Sequence, residues 1–320
     1  MIGVIGAGAF GTALAVALGN DGREVRLWAR DPNHAAAMAR TRINETRLPG
    51  VTLPPQVTVS SDIDQICLAE AVLLALPMQG MRDFLQTYAA ILDGSVLVAC
   101  CKGVDLVTLR GPCALIKAAC PKAVPAMLTG PSFAADIARG LPTALTLACA
   151  DNGIGEQLQH LISTLTLRIY RTTDVAGAEL SGALKNVIAI AAGVVIGAGL
   201  GDSARAALMT RGYGEMVRAA EALGARRDTM AGLCGLGDLV LTCTSDQSRN
   251  FRYGRALGAG QPFDPKVTVE GVATAQAMAN LGTRHGLDLP ITAMVAALTL
   301  GKIGLTDAIQ ALMSRPLKKE

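Results

Sequence analysis

Short apolar segments alternate with helix-like segments along the first half of the chain, beginning with residues 2–5. Residues 81–92 and 109–119 have the apolar spacing of helices, and shorter apolar runs between them have the length and composition of strands. These runs are residues 57–59, 71–76, 95–100, 126–129, 143–148 and 167–170. Because strands alternate with helices, the pattern predicts an α/β fold with a doubly wound, largely parallel sheet.

The pattern changes after Asp174, a residue type that commonly caps the N-terminus of a helix. From there the chain is rich in Ala, Leu, Met and Gly, and its apolar positions have helical spacing. The sequence therefore predicts two domains, an α/β domain over residues 1–175 and an all-helical domain over residues 176–320. The apolar run 187–200 is shorter than the ~20 residues that a membrane-spanning helix needs, so we expect a buried helix there.

A glycine-rich turn directly follows the first predicted strand. Gly6, Gly8 and Gly11 form a GxGxxG motif, and residues 12–18 have the Ala/Leu-rich composition of a helix. In this context the first glycine permits a tight turn, the second lets backbone approach a pyrophosphate, and the third lets the helix pack closely on the strand. The motif therefore predicts a dinucleotide-binding site.

The end of the second predicted strand, residues 24–30, indicates which dinucleotide is preferred. In an NAD-selective site an acidic residue here bonds the ribose hydroxyls, but Ala29 occupies that position. Arg30 follows, and Asp31 lies two places late. An arginine can pair with a 2′-phosphate, which favours NADP(H), with NAD(H) as the alternative. A different interpretation is that Arg30 only caps the turn that follows.

Composition indicates a protein with a large aliphatic core. Apolar residues make up 51% of the chain, charged residues 17% and aromatic residues 3%. The formal charge of +3 is too small to indicate nucleic-acid binding, and the basic run is limited to Lys318-Lys319. Because the chain opens on a strand, we expect no signal peptide and a cytoplasmic location.

The eight cysteines form no CxxC pair, and several lie in apolar runs. They therefore predict buried thiols in a reducing compartment rather than a disulfide framework or a zinc site. They are Cys67, Cys100, Cys101, Cys113, Cys120, Cys149, Cys234 and Cys243.

The segment 235–250, GLGDLVLTCTSDQSRN, combines a small-residue turn that ends in Asp238 with a polar turn that starts at Thr242. A helix that starts near Ser248 would direct free backbone N–H groups and Arg249 at one point, which suits a phosphate dianion. The segment therefore predicts a site for a small phosphorylated substrate. The alternative is a capped helix whose arginines are solvated or paired.

Three further motifs contain candidate polar side chains. Residues 101–103 (CKG) and 130–134 (GPSFA) follow predicted strands, at the edge where open α/β sheets bind ligands. Lys185 stands among apolar residues in the predicted helical domain, although a buried ammonium group needs a partner. Burial lowers the pKa of a lysine and a carboxylate such as Asp238 raises it, so Lys185 can be a tuned proton donor. Alternatively, Lys185 extends to the surface.

Together these segments resemble the bacterial NAD(P)-dependent glycerol-3-phosphate dehydrogenase family along essentially the whole chain. The matching segments are GAGAFGTALA from Gly6, LWARDP from Leu27, CKG from Cys101, GPSFA from Gly130, GLPTA from Gly140, LSGALKNVIAIAAG from Leu180, MTRG from Met209, GLGDLVLTCTSDQSRN from Gly235 and VEGV from Val269. In the segment 193–205 the family usually has an acidic residue and an asparagine, and here Ile196 and Ser203 stand where polar residues are common.

The resemblance implies a Rossmann domain followed by an all-helical substrate domain, and the reduction of dihydroxyacetone phosphate to sn-glycerol 3-phosphate for glycerophospholipid synthesis. By the family pattern Lys185 is the catalytic acid/base, and Asp238 and Lys102 position the substrate. The other residues that the resemblance assigns are Gly130, Ser132, Ser248, Arg249 and Asn250 on the substrate side, and Gly6, Gly8, Ala9, Phe10, Gly11, Arg30, Lys102, Ala134, Arg249 and Glu270 on the cofactor side.

The family pattern assigns no role to His34, His160 or His285 and needs no metal. The expected partner is a small-molecule substrate, with no nucleic acid and no integral membrane segment, and the apolar helical domain offers a face for a homodimer. Two alternatives stay open. The first is a 3-hydroxyacid or 6-phosphogluconate-type dehydrogenase, and the second is a non-catalytic NADP(H) sensor.

Overall fold

The computed structural model describes residues 1–66 and 68–313 and confirms an α/β fold followed by a helical region. Eight strands form one sheet, and two short strands form a separate hairpin. The strands are β1 (Ile2–Ile5), β2 (Val25–Trp28), β3 (Ile43–Asn44), β4 (Leu48–Thr52), β5 (Val57–Ser60), β6 (Ala71–Leu74), β7 (Val96–Ala99), β8 (Val124–Thr129), β9 (Thr143–Cys149) and β10 (Leu167–Thr172). The β3–β4 hairpin was not predicted from the sequence.

The order of strands across the large sheet is β10-β9-β8-β7-β6-β1-β2-β5. All neighbouring pairs are parallel except β8 and β9, which confirms the predicted doubly wound, largely parallel sheet. Every residue of β1 and β6 is buried, as expected for strands covered by helices on both faces. The strand order reverses between β1 and β6, which is where open α/β sheets bind ligands, at the carboxyl ends of the strands.

Along the sequence, the helices of the α/β part alternate with these strands. They are α1 (Ala9–Asn20), α2 (Pro32–Thr41), α3 (Met78–Leu92), α4 (Pro112–Ala119), α5 (Ala134–Ala138) and α6 (Asn152–Ile162). The helix predicted over 109–119 starts three residues later than expected. Leu109 has a left-handed φ of 57° and Gly111 is the N-cap, so Pro112 takes the first helical position that its fixed φ favours.

The helices of the second part begin at Asp174, whose side chain accepts the backbone N–H of Gly177 at 2.9 Å and so caps the first of them as predicted. They are α7 (Val175–Gly197), α8 (Gly201–Ala222), α9 (Arg227–Ala231), α10 (Asp238–Thr244), α11 (Arg249–Gly258), α12 (Glu270–His285), α13 (Pro290–Thr299) and α14 (Leu305–Met313). A π-helical turn, Leu233–Gly237, precedes α10. Among the described residues, no strand follows Thr172.

Helix α7 forms the centre of the helical part. Of the described helices, it alone is long and apolar enough by length and composition to cross a membrane, but 83% of its most apolar stretch is buried inside the protein. This burial agrees with the core helix predicted around residues 187–200. Within the segment 193–205, Ile196 packs against the helical core and Ser203 is exposed.

Glycines let α7 and α11 approach until their backbones touch. A Cβ atom at Gly193 would overlap the carbonyl oxygen of Phe251, and a Cβ atom at Gly254 would overlap that of Ile190. The next turn of each helix repeats the arrangement with Gly197 and Gly258. A larger residue at any of these four glycines would push the two helices apart. The glycines therefore determine the position of the N-terminus of α11 relative to α7.

The cysteines that the structure describes are buried and have free thiols, as predicted. Burial raises the pKa of Cys100 and Cys243 to about 12, so these thiols stay protonated at neutral pH. Cys67 and the Lys318-Lys319 pair lie outside the described residues.

A buried carboxylate joins two helices of the second part. Glu215 of α8 is 1% exposed and accepts the backbone N–H groups of Ile291 and Thr292 at 2.8 and 2.9 Å. The Thr292 hydroxyl donates a third bond at 2.7 Å. Because the N-terminus of a helix carries unsatisfied N–H groups and partial positive charge, Glu215 caps α13 from outside that helix.

Replacing this carboxylate should destabilise the fold. In Glu215→Gln an amide NH₂ group faces backbone donors, and we expect the free energy of unfolding to fall by about 2 kcal/mol. Urea denaturation followed by circular dichroism measures the change. Glu221→Gln, at a more exposed glutamate of the same helix, is the control and should change stability by less than about 0.5 kcal/mol. Equal effects of the two substitutions would contradict the capping role.

Candidate active site

The glycine-rich turn has the geometry of a cradle for a phosphate group. Gly6 has a φ of +110°, and a Cβ atom there would lie 2.5 Å from the carbonyl oxygen of Ala75. A Cβ atom on Gly11 would overlap the carbonyl oxygen of Gly6. Over Gly8, by contrast, a Cβ atom would meet no described atom within 4 Å, so the space above the turn is open. Gly8 is also the N-cap of α1. The free N–H groups at the N-terminus of this helix therefore face the open space and fit a pyrophosphate.

The residues after β2 place an arginine directly after the position at which an acidic residue would select NAD. Ala29 is 2% exposed and has no polar group for a ribose. Asp31 caps α2, since its side chain accepts the backbone N–H of Asn33 at 2.9 Å. Asp31 thus caps the helix that follows this turn, and Arg30 is exposed.

The other predicted cofactor-side residues lie along the same edge of the sheet. Ala9 and Phe10 are the first residues of α1, and Ala134 begins α5, which packs beside α1. Glu270 begins α12, and burial raises the pKa of its carboxyl group. The Met78 backbone and the charge of Arg249 oppose that shift, which places Glu270 near the start of α3, just beyond β6.

Lys102 follows β7 and reaches across the carboxyl edge of the sheet. Its Nζ donates to the carbonyl oxygen of Gly130 at 3.1 Å and to Oδ2 of Asp238 at 2.6 Å. Gly130 has a φ of +135°, and a Cβ atom there would lie 3.2 Å from Leu145 Cα. Ser132 Oγ donates to the same Gly130 carbonyl at 3.1 Å. The two predicted sheet-edge motifs therefore meet at one backbone oxygen.

Asp238 joins this edge to the helical part. It is 1% exposed, and its Oδ1 accepts Nζ of Lys185 at 2.7 Å. Nζ of Lys185 also donates to Thr242 Oγ1 at 2.6 Å, and that hydroxyl lies 3.2 Å from Asp238 Oδ1. Lys185 is 5% exposed, so it does not extend to the surface. It lies in the middle of α7.

The two ammonium groups determine the ionisation of this centre. Burial disfavours a charged Asp238, but the charges of Lys102 and Lys185 outweigh it and lower the pKa of the carboxyl group. Burial lowers the pKa of Lys185 to about 8, with a further lowering by Lys102, while Asp238 opposes the shift. Lys185 is therefore an ammonium group that can release or regain a proton near neutral pH.

The predicted phosphate site at the start of α11, a phosphate hook formed by Ser248, Arg249 and Asn250, lies beside this centre. Ser248 is the N-cap of α11 and accepts the backbone N–H of Phe251 at 3.2 Å, which confirms a helix that starts there. Arg249 is exposed at the first helical position. Asn250 is buried, and its amide donates to Oδ1 of Asn186 at 3.0 Å. Asn186 is the neighbour of Lys185 on α7, so α7 and the start of α11 are tied together at the site.

Two residues of this arrangement were missed in the sequence. Thr242 was interpreted as the start of a turn, but it belongs to α10, where it lies one helical turn after Asp238 and shares Lys185 with it. Thr242 lies four residues after Asp238, and this spacing indicates a contact only within a helix. The sequence pattern did not predict α10, so the contact was missed. Asn186 had no signal of its own, because its partner Asn250 lies 64 residues away.

No histidine takes part in the described side-chain hydrogen bonds of Lys102, Lys185 and Asp238. Among residues 1–66 and 68–313, no group of three or more His, Cys, Asp or Glu side chains is arranged to hold a metal ion. His34 hydrogen-bonds to Asn44, and the backbone oxygen of His160 accepts a bond from Arg23.

A parallel sheet with a dinucleotide-type turn, next to a buried lysine–carboxylate centre, is the arrangement of a nicotinamide-dependent oxidoreductase. Two family models match the chain: the N-terminal part of NAD-dependent glycerol-3-phosphate dehydrogenase over residues 1–154, and the C-terminal part over residues 174–310. The chain belongs to the NAD(P)-dependent glycerol-3-phosphate dehydrogenase family.

Individual relatives agree with this assignment. A glycerol-3-phosphate dehydrogenase [NAD(P)+] from Cereibacter sphaeroides is 64% identical over the full length of both chains. The one from Paracoccus denitrificans is 60% identical over 100% of this chain and 99% of the relative. The crystal structure of glycerol-3-phosphate dehydrogenase from Coxiella burnetii has a TM-score of 0.93 and 32% identity, and the match covers 98% of each chain.

The ion pairs around Asp238 indicate how the pKa of Lys185 should respond when its charged neighbours are replaced. In Asp238→Asn the carboxylate that raises its pKa is lost, so we expect Lys185 to release its proton at a pH below about 8. Lys102→Met removes the ammonium group that lowers this pKa and should shift the titration to higher pH. NMR of the protein with ¹³C-labelled lysine follows the Cε resonance through the titration. A Lys185 titration that both substitutions leave unmoved would refute the electrostatic coupling.

Proposed function

We propose that this protein reduces dihydroxyacetone phosphate to sn-glycerol 3-phosphate, with NADPH preferred over NADH. The observation that carries the proposal is the buried Asp238 carboxylate, which holds Lys102 and Lys185 on its two oxygens. This centre lies between the sheet edge and the N-terminus of α11. Membership of the family supports the reaction, and the exposed Arg30 in place of an acid supports the cofactor preference.

The residues of the first part fit a dinucleotide. The Gly6–Gly11 turn and the N-terminus of α1 would hold the pyrophosphate, with Ala9 and Phe10 beside it. Arg30 would pair with a 2′-phosphate, while Ala134 and Glu270 would line the remainder of the binding site. The bound nicotinamide supplies a hydride to the substrate carbonyl.

Lys185 would supply the proton. An ammonium group has three donors, and two of those of Lys185 are directed at Asp238 and Thr242. The third is available for the carbonyl oxygen of the substrate, where negative charge develops as the hydride arrives. An ammonium group held in a dry site stabilises that charge and then donates its proton. Asp238 keeps the group oriented, and its charge limits how far burial lowers the pKa of Lys185.

The phosphate end of the substrate would bind at the start of α11. The N–H groups of this helix and the Arg249 guanidinium offer charge-assisted hydrogen bonds to a dianion. The hydroxyl of Ser248 accepts a helix N–H and keeps its own proton for the substrate. Asn250, fixed by Asn186, orients the same helical turn, while Lys102, Gly130 and Ser132 border the site from the sheet edge.

The organisation of the chain completes the proposal. A boundary between a cofactor-binding domain over 1–175 and a substrate-binding domain over 176–320 is supported by the end of the sheet at Thr172 and the helix cap at Asp174. The free thiols support a reducing compartment, the cytoplasm, where the product would enter glycerophospholipid synthesis. A homodimer is proposed from the apolar helical part, and measurement of the molar mass in solution tests it.

The reaction is tested by the loss of absorbance at 340 nm with dihydroxyacetone phosphate and either NADPH or NADH. Fast oxidation of NADPH, slower with NADH, is expected. The same assay in the oxidative direction with 3-hydroxyacids and 6-phosphogluconate tests the other dehydrogenase class. NADPH binding without turnover on any of these substrates would overturn the proposal and favour a sensor.

Removal of the proposed proton donor should lower turnover by orders of magnitude without loss of cofactor binding. In Lys185→Ala we expect kcat to fall by about 10²–10⁴-fold, because the charge on the substrate oxygen is no longer neutralised. The dissociation constant of NADPH, measured by fluorescence, should stay unchanged. Turnover at the wild-type rate would exclude Lys185 as the acid.

If the phosphate hook binds the substrate, loss of the Arg249 guanidinium should weaken substrate affinity. In Arg249→Ala we expect the KM for dihydroxyacetone phosphate to rise roughly ten- to a hundredfold, because a charge-assisted contact is lost. Arg252→Ala, at an exposed arginine one turn further along α11, is the matched control and should leave KM unchanged. If both variants raise KM equally, general charge and not a specific contact attracts the phosphate.

A further inference from the structure

A buried amide lies behind the glycine-rich turn and has no part in the site described above. Asn44, on the short strand β3, is fully buried. Its Nδ2 donates to the carbonyl oxygen of Ala7 at 3.0 Å and to Thr12 Oγ1 at 2.8 Å. Ala7 lies between the first two glycines of the turn, and Thr12 lies in the first turns of α1. One amide group therefore holds the turn and the helix together.

The other end of the amide is held as well. Oδ1 of Asn44 lies 3.0 Å from Nε2 of His34 and 3.3 Å from the Thr46 hydroxyl, which donates to it. The orientation of the amide follows from chemistry, because the Ala7 carbonyl can only accept and must face the NH₂ group. His34 then donates from Nε2. Since His34 stands in the first turn of α2, soon after Arg30, the network connects the two ends of the proposed dinucleotide site.

We infer that Asn44 is a positioning residue for the dinucleotide: it holds the Gly6–Gly11 turn in its binding geometry before the ligand arrives. This inference rests on the dinucleotide site proposed above. The N–H groups at the start of α1 can meet a pyrophosphate together only if the Ala7 peptide keeps its orientation. Affinity rises when a site is ordered in advance, because the ligand does not bear the cost of ordering it.

The competing explanation is a purely structural role, in which the hydrogen bonds of Asn44 only hold the β3–β4 hairpin on the sheet domain. A separate contact closes the base of the hairpin and does not touch the turn, since Arg42 directly precedes β3 while its partners Leu53 and Pro54 directly follow β4. Arg42 donates to the carbonyl oxygen of Leu53 at 3.2 Å and to that of Pro54. Arg42→Ala therefore loosens the hairpin alone and serves as the matched control for Asn44→Ala.

The test measures the dissociation constants of NADPH and NADH for the full chain by fluorescence titration, together with Tm. In Asn44→Ala both dissociation constants should rise by the same factor, about tenfold, because both ligands share the pyrophosphate. The kcat at saturating NADPH should stay unchanged. In Arg42→Ala Tm should fall while both dissociation constants stay within about twofold of wild type.

A nearly isosteric variant, Thr12→Val, gives a second test that does not depend on the folding of Asn44→Ala. It removes one acceptor of the Asn44 amide and should raise both dissociation constants severalfold. Wild-type affinities in Thr12→Val and Asn44→Ala, or equal losses in Arg42→Ala and Asn44→Ala, would overturn the inference. Because binding is measured directly, a wild-type protein that binds NADPH but does not reduce dihydroxyacetone phosphate would refute the proposed reaction and not the role of Asn44.

Discussion

The structure of this site depends on one buried carboxylate that has to be neutralised from two sides. Asp238 is almost fully buried, and a charge in such a place is tolerated only with partners of opposite sign. Lys102 comes from the edge of the sheet and Lys185 from the middle of α7. The pairing therefore requires the α/β part and the helical part to lie against each other, and it places the site at the boundary between them.

The two lysines share this carboxylate but differ in their surroundings. Lys102 is also held by a backbone carbonyl, and its side chain is 15% exposed. Lys185 is more deeply buried, and its remaining partner is a neutral hydroxyl. Desolvation lowers the pKa of Lys185 towards neutrality, which supports the proposed role of this more deeply buried lysine as the proton donor.

The position of the phosphate hook depends on a second constraint, the contact between the backbones of α7 and α11. Glycine on both helices allows this approach, which brings the N-terminus of α11 next to Lys185. The Asn250–Asn186 hydrogen bond then fixes the rotation of that terminus. The glycine-rich turn has a comparable support in Asn44, so both proposed anion sites combine a helix N-terminus with a buried asparagine.

The sequence by itself determined the features that depend on neighbouring residues. Strand and helix periodicity, the conformation of Gly6 and the cap at Ser248 were predictable because side-chain spacing and backbone freedom are local properties. Only the tertiary structure decided which groups meet: Lys102 and Lys185 lie 136 and 53 residues from Asp238. The α4 start, the Thr242 helix and the β3–β4 hairpin were also beyond local patterns. These features depend on how whole elements pack. Residues that are close together in the sequence do not indicate which distant residues will be buried against them.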